Sequence, residues 1–355
     1  MNIDVLDEVY ERLHSAGPEF GGDEEGNHGL TNHGPMTAEV LARRGYADLV
    51  PSWVDRYMPR LTEMPRAGEP IRDTGWQEAL GRGERVGDWA AYFGRLVAER
   101  PWADVLTEWW PRLLPGIGAG ATHGVIRVGH AVRALTNGAV SDSTRAELAH
   151  GLAFWAARSL PIPGATAPAG DLNAALALAG LPHLQEQSGL LAGRLGRLTG
   201  VPGWSDAQAA LRPAVSDEQA VTLLRQLVDA ATLRYLTHGH GSPVLLVHTA
   251  TAPNAVLHVL PTLPRQMWAP SFAAVWSASA ALVSTYEPRH GIPRGELPEP
   301  PNCDDPIAEV VRRSAEHGDE HVIKFTDTAV EVFERTGNPD ALAAATHIAT
   351  LVEPT

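Results

Sequence analysis

Lysine is almost missing from this chain of 355 residues: of 28 basic side chains 27 are arginine, and Lys324 stands alone. Cysteine is as scarce, with Cys303 the only one, which excludes an intrachain disulfide and any zinc or iron–sulfur centre built on thiolates. Positive charge is short overall. A balance of 28 basic against 42 acidic residues gives a formal charge of −14, with no basic run to interrupt it, so neither nucleic acid nor an anionic membrane is expected as a partner. The N-terminal MNIDVLDEVYERL has neither the basic flank nor the apolar run of a secretory signal, and with the lone cysteine this points to the cytoplasm. The charge-free stretch long enough to cross a bilayer, residues 268–286, is diluted by Pro270 and several serines; it is expected as a buried helix packed through small residues.

Strand-like alternation is nearly absent too, and helical periodicity takes its place. Val5, Val9 and Leu13 begin it; DWAAYFGRLVAE, STRAELAHGLAFWAARSL, SDEQAVTLLRQLVDAATLRYL and PDALAAATHIATLV continue it. Ser141 and Ser216 stand where helix N-caps belong, and Pro101 and Pro339 in first turns. PVLLVHTATA is the one segment expected as a strand. Gly- and Pro-rich breaks fall near 17–34, 64–75, 161–170, 200–203 and 287–306. The expected fold class is all-α: a multi-helix single-chain fold with a buried metal site, treated as one domain over 1–355. No phosphate-binding loop, dinucleotide fingerprint or nucleophile elbow is present. Ten tryptophans, including Trp109, Trp110, Trp155, Trp268 and Trp276, serve either a core or a pocket for a flat ligand, with core the commoner use.

What the chain does have is histidine, 15 in all, many in short apolar or glycine-containing contexts: NHGLTNHGPM, GATHGVIRVGHAVRAL, THGHGSPVLLVHTA and DEHVIKF. On a helix His321, Lys324 and Thr328 share one face, as do His123, Arg127 and His130. His33 precedes the Gly34-Pro35 helix start, and His248 lies in a nearly uncharged run. Lys324 has two readings. It is an exposed i,i+4 partner for Glu320, which arginine would serve equally, or it supplies an amine that can lose its proton and react with a carbonyl group or CO2, which guanidinium cannot. His238-Gly-His240 has the His-x-His form of metal-dependent amidohydrolases, but those need a β/α barrel and further ligands after the lysine, so both are assigned to a loop.

Four of these segments, GLTNHGPMTAEVLARRG, GATHGVIRVGHAVRAL, GLAFWAARSLPIP and DEHVIKFTDTAVEVF, in this order and spanning about residues 26 to 345, resemble the questin oxidase-like family. The resemblance implies a mostly helical, flavin-independent oxygenase of secondary metabolism that opens quinone rings of anthraquinone-type polyketides, formally by Baeyer–Villiger chemistry. It further implies a mononuclear non-haem Fe(II) with O2 as co-substrate. The implied ligands are His33, His123, His248, His321 and a CO2-derived carbamate on Lys324, with His130 as second choice to His123 and Arg127 as the catalytic residue. The segment HTATAPNAV after the third histidine departs from the family pattern, which bears on pocket shape and substrate. Use of an external reductant such as NADPH, and a homodimer, are left open. Two rivals stand beside this reading: a helical protein that only sequesters a metabolite, and a zinc-dependent hydrolase.

Overall fold

A computed structural model describes residues 3–19, 31–138 and 140–355; the opening Met1-Asn2 and Asn27, His28, Gly29 and Leu30 of the first histidine segment lie outside them. With 69% helix and 3% strand, the protein is all-α. The chain divides into two compact units, Met1–Pro161 with His258–Pro264, and Ile162–Leu257 with Arg265–Thr355. The first boundary falls at the start of the expected break at 161–170.

The first unit contains α1 (Ile3–His14), β1 (Ala16–Glu19), α2 (Gly34–Arg43), α3 (Val50–Tyr57), β2 (Leu61–Glu63), α4 (Val86–Glu99), α5 (Trp102–Leu113), α6 (His123–Asn137) and α7 (Asp142–Ala157). The strands pair antiparallel, with Ala16 opposite Glu63 and Glu19 opposite Leu61. Aromatic side chains build the core. Trp109 meets Phe93 edge-on at 4.9 Å and Trp89 at 5.6 Å, and Trp110 meets Trp155 of α7 at 5.2 Å. The expected cap at Ser141 is a capping box with Thr144, which starts α7. Helices α6 and α7 touch at Gly124, where an added Cβ would lie 2.7–2.9 Å from Trp155 Cγ, Cβ and Cα.

An ion cluster joins α2 to α6. Glu39, fully buried, accepts from Arg133 Nε at 2.9 Å and from His130 Nδ1 at 2.9 Å. Burial alone would push the Glu39 carboxyl up, but the Arg133 guanidinium and the hydrogen bond from His130 outweigh it and bring the value from 4.5 down to about 2.

In the second unit run α8 (Ala174–Ala179), α9 (Leu191–Arg197), α10 (Trp204–Ala209), α11 (Asp217–His238), α12 (Pro243–Leu246), α13 (from His248 to Val259, the last two residues counted with the first unit), α14 (Trp268–Tyr286), α15 (Pro306–His317), α16 (Glu320–Thr336) and α17 (Pro339–Leu351). The cap at Ser216 is present, its side chain accepting from Gln219 N–H. PVLLVHTATA is not a strand: it forms α12 and the start of α13, with Pro243 in the first turn. A short apolar run lacks the periodicity that separates a buried strand from a buried helix, and here the proline starts a helix. The run Pro243–Thr262 is long and apolar enough to cross a membrane, yet 72% of its most apolar window is buried inside the protein, as in a core helix. α14, expected as a buried helix, is one: Trp276 is fully buried and donates its indole N–H to Gln208 O at 3.0 Å. Trp109, Trp110 and Trp155 are core residues as well.

Two outcomes follow for stability. Gly124→Ala forces α6 away from α7 and is expected to cost about 3 kcal/mol, read as a lowered midpoint in urea unfolding. Because the folded value of Glu39 lies below its unfolded 4.5, its contribution is complete above pH 4.5 and is lost as pH falls toward 2. Glu39→Gln is expected to flatten the stability profile across that window by about 3 kcal/mol.

Candidate metal centre

In the first unit the chain enters α2 through His33 and α6 through His123, so each ring sits at a helix N-terminus. His33 is 2% exposed, and its backbone N–H donates to the Tyr57 hydroxyl at 2.6 Å. Tyr57 in turn donates to Glu19 Oε1, and Arg60 reaches Glu19 Oε2 at 3.3 Å. Surrounded by donors, the Glu19 carboxylate accepts from His33 Nδ1 at 2.7 Å. That bond places the His33 ring proton on Nδ1 and leaves Nε2 as a lone-pair site.

His123 reaches the same state by another route. Gly120, Ala121 and Thr122 all have positive φ, 54°, 56° and 74°. The two non-glycine residues hold this left-handed turn at a cost of roughly 1–2 kcal/mol each. It ends directly at His123, the first residue of α6, and turns the Gly120 carbonyl back onto His123 Nδ1 at 2.5 Å. A carbonyl only accepts, so Nδ1 carries the proton and Nε2 is again the lone-pair site. The two Nε2 atoms lie 2.8 Å apart with the rings crossed at 81°. Two lone pairs at that distance repel unless a cation lies between them, either a shared proton or a metal ion. Two imidazoles at right angles on an ion with bonds of about 2.1 Å span about 3 Å between nitrogens, close to the observed edge.

The second unit holds its own pair. α15 ends at Gly318, in the left-handed region at φ 84°, and Asp319 starts α16 by accepting from the N–H groups of His321 at 2.8 Å and Val322 at 3.0 Å. Burial raises the Asp319 carboxyl, but the nearby His321 ring, its Nδ1 3.7 Å from Oδ1, and these backbone donors bring it below its ordinary value. The His321 ring lies 5.8 Å from that of His248, the first residue of α13, at 61° between planes. Asn254 ties α13 to α16 by donating to Glu331 at 2.8 Å. Ser279 of α14 donates to Thr249 O at 3.1 Å, fixing the residue after His248. Lys324, one turn beyond His321, is 3% exposed and Glu320 is 2% exposed. The reading of Lys324 as a surface partner of Glu320 is therefore wrong: both lie in the buried first turns of α16.

Arg127 is one turn beyond His123, but its fork is engaged by Glu147 of α7, Nε to Oε1 at 2.6 Å and Nη2 to Oε2 at 2.8 Å. Burial opposes the charge on Arg127, and the adjacent carboxylate outweighs it and holds the guanidinium protonated. His130 directs Nδ1 to Glu39, not to His33 or His123. His238 ends α11 and His240 lies in the 3-10 turn Gly239–Gly241 that follows it. The sequence reading missed Glu19, Tyr57 and Asp319. Asp319 before EHV is a legible cap signal; Glu19, in a four-residue strand, has none. No protein-family model matches the chain, and no curated protein matches it.

The crossed pair generates a prediction that does not depend on which metal binds. Chelator-treated protein titrated with Co(II) is expected to gain about 2.7 kcal/mol of stability when free metal stands a hundredfold above Kd. His33→Ala and His123→Ala should each abolish the gain with helical circular dichroism retained. A wild-type protein indifferent to Co(II) would mean that the pair shares a proton.

Proposed function

We propose that the protein is a cytoplasmic non-haem iron oxygenase that cleaves, or inserts oxygen beside, a carbon–carbon bond of a quinone or related aromatic polyketide. The observation that carries the metal is the pair of Nε2 atoms of His33 and His123, both oriented as acceptors and 2.8 Å apart. The reaction class and substrate rest on the four segments that resemble the questin oxidase-like family. The donor set fits ferrous iron: imidazoles with no thiolate within the motifs, one of them backed by a carboxylate of the kind that orients metal-bound histidines. Proposed ligands are His33, His123, His248, His321 and Lys324. Bound there, Fe(II) would supply the one-electron chemistry that O2 needs to react with a closed-shell substrate.

The chain's own residues supply the rest. Glu19 and Gly120 hold the His33 and His123 protons on Nδ1. Asp319 fixes the backbone from which His321 and Lys324 project. Burial strips Lys324 of the water that would solvate an ammonium. A neutral Nζ that adds CO2 and loses one proton becomes an anionic oxygen ligand, the role an Asp or Glu fills at other such sites. Arg127, tied to Glu147, acts in this reading as a fixed positive charge and not as a proton donor.

Anaerobically purified protein is expected to hold about one iron per chain and to consume O2 on a hydroxyquinone. Stoichiometric zinc with no gain on ferrous loading would favour the hydrolase, and a metal-free protein that binds quinone without turnover would favour the sequestering protein. Glu19→Gln should weaken metal binding about 10- to 100-fold. Lys324→Arg should abolish O2 consumption, since guanidinium cannot take up CO2 and sets a cation against the metal; full activity in that variant would remove the carbamate from the account.

A further inference from the structure

The second unit carries an ion cluster built from none of the proposed ligands. Glu287, the residue after α14, is 2% exposed, and its carboxylate takes the Arg234 fork of α11, Nε to Oε2 at 2.6 Å and Nη2 to Oε1. Oε1 also accepts from His183 Nε2 at 3.4 Å, in the loop between α8 and α9. That loop crosses the end of α14 as a strap: Leu184 N–H donates to Ser284 O at 2.8 Å, Gln187 Nε2 to Glu287 O at 3.1 Å, and Arg289 to Gln185 Oε1. Leu181 and Leu184 are buried at its start.

His238, the last residue of α11, completes the cluster. The Thr237 hydroxyl gives its one proton to Arg234 O at 3.1 Å, so its oxygen accepts from His238 Nδ1 at 2.7 Å. The neutral ring then presents a lone pair on Nε2, 3.8 Å from Glu287 Oε1 and too far to bond. Gly291 closes over this ring, where an added Cβ would lie 2.7 Å from Cε1. The charged and titratable groups that face His238 are Arg234 on its own helix, His240 in the turn after it and Glu287 after α14, whose Oε1 it shares with His183 of the strap; Arg289 and His290, before Gly291, are exposed. Burial, with the Arg234 and His240 charges, outweighs the attraction of Glu287 and brings the imidazole below its ordinary 6.5. Burial opposes the charge on Glu287, but the bonds from His183 and Arg234 hold its carboxyl below 4.5, so it stays ionised above that pH.

We propose that residues 183–189 are a pH-dependent strap: a proton on His238 Nε2 draws Glu287 Oε1 away from His183 and loosens the loop between α8 and α9. A carboxylate oxygen has two lone pairs, and both on Oε1 are engaged, by Arg234 and by His183. A third donor must displace one of them. The Arg234 fork is bidentate and charge-assisted, whereas the His183 bond at 3.4 Å is the weakest of the set, so the strap yields. Once open, it leaves Oε1 to the imidazolium; the open state therefore binds the proton better, and a fall in pH through 6.5 favours it. The strap does not depend on the oxygenase reading.

The test is hydrogen–deuterium exchange of the full-length protein at about pH 7.5 and about pH 5.5, with rates corrected for the intrinsic pH dependence of amide exchange. One histidine that charges only in the open state raises the open population at most about tenfold across this window. Protection of the 183–189 amides is expected to fall about three- to tenfold, with that of residues 276–284 in α14 unchanged. His238→Asn keeps an N–H toward Thr237 and cannot titrate, so the fall should disappear. Glu287→Gln removes the anion for which His183 and His238 compete, and should lower strap protection already at the higher pH, with helical circular dichroism retained. A third readout needs no variant: the imidazole nitrogen resonances of His238 should report the Nδ1–H tautomer at the higher pH. Equal strap protection at both pH values in the wild type, a fall that persists in His238→Asn, a parallel loss in α14, or an Nε2–H tautomer each overturns the proposal.

Discussion

Two buried imidazoles with both Nδ1 protons assigned elsewhere must face each other as acceptors, and in this protein they do so at 2.8 Å. Much of the first unit serves that arrangement. Tyr57 and Arg60 hold the carboxylate that fixes one ring, β1 pairs with β2 to bring Glu19 there, and a left-handed turn through Ala121 and Thr122 delivers the carbonyl that fixes the other. Strain of this kind persists only where the surroundings over-determine it. The aromatic packing of Trp110 on Trp155, and of Gly124 against the same tryptophan, supplies the rigid bed for the first turn of α6.

A second regularity is positional. His33 caps α2, His123 opens α6, His248 opens α13 and His321 is the second residue of α16. Helix N-termini carry partial positive charge, an environment that rewards an anion nearby. A metal held by such rings would gain from an anionic partner, the part the proposed carbamate on the sole lysine would play.

The helices were legible because capping and periodicity agree: Ser141, Ser216 and Pro339 start helices where their side chains demand it. PVLLVHTATA was misread because a short apolar run has no periodicity to separate the two states. Helix spacing placed His321 and Lys324 on one face but could not say whether that face was wet, and burial decides it. His123 and His130 looked interchangeable by spacing; a glutamate 91 residues away separates them. Glu19 and the strained turn were illegible, since one lies in a strand too short to show a pattern and the other is a backbone conformation that Ala and Thr rarely adopt.

The central claim, that the His33–His123 pair is built around a metal ion, is tested most directly by diffraction from crystals of ferrous-loaded protein recorded on both sides of the iron absorption edge. The account predicts an anomalous peak about 2.1 Å from both Nε2 atoms. No peak there, with the two nitrogens still 2.8 Å apart, would show a shared proton in its place and contradict it.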